Sequence, residues 1–162
     1  MKVTDVMTTD VRVCRPETNL AVAAALMWET DCGALPVVDE AGKVIGMLTD
    51  RDIAIAVGTR GRNAAEIAAR EVISGQAYTT MPDVEIKTAI RAMNAAKVRR
   101  LPVVNADGQL QGILSLHDLV LHAGEAKDKR AAELSNDDVM HLLKAFTSQV
   151  PAKQAATVYA VT

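Results

Sequence analysis

The sequence repeats itself. Shifted by 66 positions, the chain aligns with itself without a gap, Val6–Gly58 falling onto Val72–Gly124. Pro16 meets Pro82, Met27 meets Met93, and Leu35-Pro36-Val37-Val38 meets Leu101-Pro102-Val103-Val104. Gly42, Gly46, Asp52 and Gly58 fall on Gly108, Gly112, Asp118 and Gly124. A match of this length without an insertion means one supersecondary unit used twice, which constrains the fold before any local propensity does. One such unit, of about fifty residues, cannot bury enough apolar surface to stand alone; two packed face to face can.

Each unit reads as strand, helix, strand, strand, helix. Val11-Arg12-Val13 alternates and predicts a short strand, stopped by Pro16. Glu17-Thr18 is a polar helix start. Leu20, Ala23, Ala24 and Met27, with their copies Ile86, Ala89, Ile90 and Met93, keep helical spacing and form the expected buried stripe. Leu35–Val38 is the second strand. A turn at Glu40-Ala41-Gly42-Lys43, clearer in its copy Ala106-Asp107-Gly108-Gln109, leads to the returning strand Val44–Leu48. Asp50–Val57 is the second helix, closed by Gly58.

The predicted fold class is α+β: two β-α-β-β-α units packed as a pseudo-twofold pair with two equivalent clefts, plus a C-terminal helix. Residues 1–61 form the first unit. Residues 62–124 form the second, introduced by a linker helix at Asn63–Arg70. Residues 125–162 hold a charged connector, Glu125–Arg130, and an amphipathic helix. Ser135 caps that helix, which runs to about Gln149 and is ended by Pro151. Its stripe of Val139, Leu142, Leu143 and Phe146 is expected to pack on the module or on a second copy of the chain; docking of an effector protein is the alternative.

The chemistry lies in one stretch of each copy: Gly46-Met47-Leu48-Thr49-Asp50-Arg51-Asp52 and Gly112-Ile113-Leu114-Ser115-Leu116-His117-Asp118. An apolar strand hands over to a helix at a hydroxyl residue, with an aspartate three positions on. Backbone N–H groups at such a corner point outward with partial positive charge, a natural seat for phosphate. The aspartate can accept two hydrogen bonds, which suits the vicinal hydroxyls of a ribose. The same pattern is also a capping box, and Ser135-Asn136-Asp137-Asp138 repeats it outside the duplicated region. The two readings are compatible, because the hydroxyl can cap its helix alone and meet a phosphate when ligand is bound.

Composition narrows the partners. Aromatic content is 2%, so the core is aliphatic and base-stacking platforms are not expected. The formal net charge of −2 implies no basic face for nucleic acid. The longest apolar run, Leu20–Trp28, is too short to span a bilayer, and Met1-Lys2-Val3-Thr4-Asp5 lacks a signal-peptide core. A cytoplasmic protein without membrane contact is expected. Cys14 and Cys32 are not spaced as a metal or redox pair, and buried packing is expected of both, with a redox sensor as the alternative. His117 and His122 lie off a common helical face, so no metal pair is expected. No nucleophile-and-base arrangement specifies catalysis, so neither an enzyme nor a catalytic cofactor is expected.

The order of elements, the Leu-Pro-Val-Val strand and the Gly-x-x-[Thr/Ser]-x-x-Asp corner resemble a tandem pair of CBS domains, often called a Bateman module. The resemblance covers roughly residues 1–124, and the chain looks most like the small stand-alone bacterial members. It implies a regulatory sensor that binds an adenosine-containing ligand (AMP, ADP, ATP, NAD or S-adenosylmethionine) in the clefts between the units. Carried onto this sequence, it makes Thr49 and Asp52 one site and Ser115 and Asp118 the other. Arg100, and after it Arg99, stand just before Leu101-Pro102, where the family often places a cation for phosphate. The first copy has Gly33-Ala34 there, so its phosphate needs Arg51 or a residue from elsewhere. Unequal sites are expected, the Asp118 site taking the more highly charged ligand. The resemblance sets adenine against the first strand of the opposite unit: Thr9 to Val11 for the Asp118 site, Gly75 to Ala77 for the Asp52 site. Met47 and Ile113 serve as walls. It also implies a homodimer formed through helices, reporting ligand state through the dimer surface or the tail helix. The alternatives are a ligand-free dimerisation module and an enzyme acting on the nucleotide.

Overall fold

The duplicated Leu-Pro-Val-Val stretch forms the central strand of each unit. In the computed structural model, which describes residues 1–73, 75, 77–124 and 134–147, the first unit holds α1 (Leu20–Glu29), β1 (Ala34–Val38), β2 (Val44–Thr49) and α2 (Asp50–Arg60). The second holds α3 (Ile86–Ala96), β3 (Arg100–Val104), β4 (Leu110–Ser115) and α4 (Leu116–His122), and α5 (Asn136–Thr147) follows. β1 pairs antiparallel with β2, and β3 with β4, in the same register and with the same irregularity after Val37 and Val103. The fold is the α+β pair of units with a terminal helix that the repeat implies.

The leading strand of each unit is shorter than the alternation at Val11–Val13 suggests. It is reduced to one parallel rung, Cys14 on Val37 and Thr80 on Val103. Cys14 N–H donates to the Pro36 carbonyl and Val38 N–H donates to the Cys14 carbonyl, at 3.0 Å each. A second rung, two residues back, would need an amide hydrogen from residue 36 for the Arg12 carbonyl. Proline has none. Pro102 imposes the same limit on the second unit.

Other boundaries move for local reasons. α1 begins after Asn19, whose side chain accepts the Val22 N–H at 2.9 Å, while Thr18 is used by Arg15 in the preceding turn. α2 runs through Gly58 and stops at Gly61, which takes the left-handed conformation at φ 59°. Asn63–Arg70 is not a helix but two short 3-10 turns, Ala64–Glu66 and Ala69–Glu71. Between them Ile67 is fully buried, and its carbonyl accepts the Leu20 N–H at 2.9 Å. That segment serves α1 rather than its own continuation. Of the expected stripe on α1, Leu20, Ala23 and Met27 are buried but Ala24 is exposed.

The two units are interlaced. The 3-10 turn at Val3–Asp5, together with Val6, packs into the core under α3 and α4, with Ile86, Met93, Leu101 and Leu114. Ile67 and Ala69, which precede the second unit, pack into the core under α1 and α2, with Leu20, Leu35 and Leu48. Lys2 bridges Glu85, and its repeat position Ala68 bridges Asn19. The crossing chain then presses on a glycine: a Cβ at Gly112 would meet the Thr8 carbonyl at 2.8 Å, and one at Gly46 would meet Ile73 at 2.9 Å. At Gly112 the neighbour is backbone, which only glycine admits; at Gly46 it is the tip of the Ile73 side chain.

α5 packs against α3 and α4. Val139 and Leu142 are buried in the second core, with Leu143 and Phe146 beside them. The stripe thus covers this chain's own second unit. Gln149 and Pro151, the expected end of the helix, lie outside the described residues. Ser135 caps α5 through Asp138, which also meets Lys87 Nζ at 3.3 Å. Among the described residues no helix is long and apolar enough to cross a membrane.

Two outcomes follow from this packing. Val3→Ala should cost about 2 kcal/mol of stability in urea unfolding. Hydrogen exchange should then show lost protection in α3 and β3 but not in α1, because Val3 belongs to the second core. The second outcome concerns pH. Burial raises the Asp138 carboxyl, but the Ser135 N–H and hydroxyl and the Lys87 ammonium outweigh it and hold the group below its ordinary 3.8. A depressed carboxyl stabilises above its unfolded value and loses that contribution as pH falls through the folded one. Acidification below pH 3.8 should therefore loosen α5 first, seen as a shift of the Phe146 ring resonances that Lys87→Ala brings to higher pH.

Candidate functional site

Both strand-to-helix corners form as capping boxes. Thr49 is extended at φ −113°, ψ 159° and is both the last residue of β2 and the cap of α2. Its hydroxyl accepts the Asp52 N–H at 3.1 Å, while Asp52 Oδ2 accepts the Thr49 N–H at 2.9 Å. Ser115 and Asp118 repeat this at the start of α4, with Ser115 N–H donating to Asp118 Oδ2 at 2.7 Å and the Ser115 hydroxyl donating to the same oxygen. Ser135 and Asp138 do the same at α5. Three boxes with one geometry mean that the box alone does not define a site; what faces it does.

The Asp118 corner faces a cleft of about 630 Å³ between the two units. Asp118 is only 7% exposed. Its second oxygen, Oδ1, accepts a hydrogen bond from the Thr8 hydroxyl at 2.9 Å. Thr8 is brought there by the crossing segment, whose backbone pairs with Ile113 in both directions at 3.0 and 2.9 Å. Arg100 stands directly across from Ser115 in the β3–β4 register, so a cation and a hydroxyl share one face beside the carboxylate. Among the described residues the Arg100 guanidinium makes no hydrogen bond or ion pair, and it approaches Gly33 of the first unit. The first unit closes the cleft with Val11 and Arg12 from its leading segment and with Thr30, Cys32 and Ala34 before and at the start of β1.

The expected residues divide. Val11, Arg100, Ile113, Ser115 and Asp118 line this one cleft. Thr9 stands exposed at its edge, its carbonyl accepting the Val11 N–H at 3.1 Å. Arg99 turns the other way: its guanidinium carbon lies 5.9 Å from the centre of the Phe146 ring of α5. At the other corner, Thr49 and Asp52 are half-buried. Met47 is half-buried opposite Pro36, and Arg51 is exposed in the first turn of α2. Ala77 is half-buried ahead of the Thr80 rung. Asp52 uses Oδ2 for its box, and among the described residues nothing is bonded to its Oδ1.

Sequence reasoning passed over Thr8, Arg12, Thr30, Asp31, Cys32 and His117, all of which line the cleft. Thr8 was one residue from the stretch singled out. The displacement comes from Met7 and Thr8 seating on Gly112, a contact between segments far apart in sequence. The cysteines differ from each other. Burial pushes the Cys14 thiol up to about 11 against a weaker opposing backbone hydrogen bond, as expected of a packed side chain. Cys32 is half-buried on the cleft wall, its sulfur 3.3 Å from the Thr30 hydroxyl. Among the described residues no three His, Cys, Asp or Glu side chains gather to hold a metal ion.

Two interlaced β-α-β-β-α units with a hydroxyl–aspartate corner on each, and a cleft between them at the Asp118 corner, define a tandem-repeat module. The chain belongs to the CBS domain family: the family model matches residues 3–58 and 65–125, one match to each unit. It is 34% identical over 143 residues to the CBS domain-containing protein YhcV of Bacillus subtilis, covering 85% of this chain and 97% of that protein. It is 32% identical over 120 residues to the uncharacterised protein MK0525 of Methanopyrus kandleri, covering 74% of this chain but 61% of that protein. Among solved structures, it resembles CBSX2 of Arabidopsis thaliana in complex with AMP, with a TM-score of 0.65, 27% identity and coverage of 74% of this chain and 93% of that one.

Replacing Thr8 by Val should leave the buried Asp118 oxygen without its donor. The expected cost is about 2 kcal/mol in denaturant unfolding, with Thr8→Ser recovering most of it.

Proposed function

We propose that this protein is a regulatory module that binds an adenosine-containing nucleotide, such as AMP, ADP, ATP or NAD, between its two CBS units. The observation that carries the reading is the Asp118 corner: a buried carboxylate, a helix-capping hydroxyl and an arginine without a partner among the described residues, all facing one interdomain cleft. In this reading the ribose hydroxyls donate to Asp118 and displace the Thr8 hydroxyl. The phosphate meets Ser115, the His117 N–H in the first turn of α4, and Arg100. Val11 and Ile113 flank the adenine, with Thr9 at the rim. Kinship with an AMP-bound structure supports the ligand class.

The second corner takes a ligand on weaker terms. Thr49, Asp52, Arg51, Met47 and Ala77 are its residues, and Ala34 stands where the Asp118 corner has Arg100. The Asp118 site then takes the more highly charged ligand. Ligand binding spans both units, so it favours one relative packing of them over others. We place the protein in the cytoplasm as a homodimer paired through outer helix faces, where Leu121 of α4 is 66% exposed. It acts by sensing rather than by catalysis.

A ligand-free structural module is the rival, favoured by the fact that Asp52 and Asp118 are already held by their own capping boxes. Calorimetric titration with AMP separates the two. Saturable binding is expected, and Asp118→Asn, which keeps the shape of the corner, should weaken it roughly ten- to a hundredfold, as for hydrogen bonds to a charged group. If no adenine nucleotide binds or raises the thermal midpoint, the structural module stands instead.

A further inference from the structure

Among the described residues, three carboxylates and two guanidiniums line the cleft at the Asp118 corner: Asp10, Asp31 and Asp118 against Arg12 and Arg100. Asp50 brings a further carboxylate to Arg100, since both border the place that a Cβ at Gly33 would take. The fixed charges of the lining thus leave negative charge in excess. A phosphate dianion entering the cleft meets repulsion that the guanidiniums do not fully offset. Two other titratable groups line it, Cys32 and His117. The thiol can only add negative charge, whereas the imidazole can supply the missing cation. His117 is exposed in the first turn of α4, and among the described residues its ring makes no hydrogen bond or ion pair.

The amides of that turn point to the same place. Leu116 N–H donates to the Arg99 carbonyl at 3.0 Å, and Asp118 N–H donates to the Ser115 hydroxyl at 3.2 Å. A phosphate held between Ser115 and the His117 N–H therefore lies next to the His117 side chain. The 66-residue shift carries His117 onto Arg51. Both corners place a basic side chain just before the aspartate, but the two behave differently. A guanidinium stays charged throughout, while an imidazole changes charge between about pH 5 and pH 8. The remaining histidines stand off the cleft: His122 Nδ1 lies 2.8 Å from the Asp118 carbonyl within α4, and His141 is exposed on α5.

We propose that the Asp118 cleft binds a nucleoside phosphate together with a proton, which His117 takes up to complete the clamp with Arg100. The proton linkage rests on the nucleotide reading of the same cleft and adds pH as a second input to the module. A dianion beside the imidazole favours its protonated form, so the complex holds that proton more tightly than the free protein does. Binding of this kind is full at low pH and weakens as pH rises through the range of the group. The ligand's own phosphate works in the opposite sense. A phosphate monoester completes its second ionisation above about pH 6, so it gains charge as pH rises. A fall in affinity with rising pH is therefore the signature of His117 and not of the ligand.

Calorimetric titration of the full chain with AMP, in two buffers of different protonation heat, reads the proton directly. The expected result is net proton uptake near neutrality. Affinity should fall roughly tenfold from about pH 6.5 to about pH 8.5, the factor that follows when a bound anion raises a group's proton affinity tenfold. His117→Gln should bind roughly tenfold more weakly than the wild type at the lower pH and show no fall. His117→Arg, which installs the residue of the other corner, should bind at both pH values as the wild type does at the lower one, with no proton taken up. Adenosine, which lacks the phosphate, should bind all three forms alike. Because His117 is exposed, the variants should keep the wild-type thermal midpoint, which separates lost binding from lost fold. A fall that persists in His117→Arg overturns the proposal, as does an AMP affinity that His117→Gln leaves unchanged, and either result leaves the nucleotide reading standing. If AMP binds no form at any pH, both are overturned.

Discussion

Val3 and Val6 lie in the core beneath α3, and Ile67 and Ala69 lie in the core beneath α1. Each unit is thus completed by the segment that precedes the other. This exchange is the constraint from which most of the structure follows. A unit of this size is short of apolar surface to bury, and the crossing segment supplies part of what it lacks. Because the exchange is reciprocal, neither unit keeps its full core without the other. It also decides where the cleft can be, since the segment that leaves one core at Thr8 arrives beside Asp118, 110 residues away in sequence.

The corner motif works within that frame. In the box, the hydroxyl and one carboxylate oxygen satisfy the exposed N–H groups at the helix start, which any helix needs. The second oxygen is what varies. At Asp118 it is held by Thr8, whereas nothing among the described residues is bonded to it at Asp52. At α5 Lys87 meets the box oxygen itself, Asp138 Oδ2, and fastens a helix. One local device serves three ends according to what the tertiary fold places opposite it. The family relationship agrees with this division, because the family model matches both units and not the terminal helix.

Much of this was legible in the sequence because a duplicated pattern is read twice. The strand pairings, the helix stripes and both corners follow from positions that agree between copies. What misled was the local signal read without its partner. Alternation at Val11–Val13 suggested a strand, but Pro36 on the neighbouring strand withholds the hydrogen that a second rung needs. Asn63–Arg70 looked helical by composition, but the Ile67 carbonyl is drawn off to cap α1. Gly58 looked like a stop, yet Gly61 takes the left-handed turn. Arg99 and Arg100 are adjacent and look alike; Arg99 sits in the bend just before β3 and lies over Phe146 of α5, whereas Arg100 opens the strand and lines the cleft.

The sequence by itself determined the two-unit architecture, the family and the residue types at each corner, because repeats and strand-to-helix signals are local and periodic. Tertiary structure alone decided which corner faces a described cleft, which arginine joins it, and that Thr8 rather than Thr9 reaches the carboxylate. It also decided that α5 covers this chain's own second unit. These depend on contacts across the exchanged segments and between the units, at separations where no periodicity in the chain carries information.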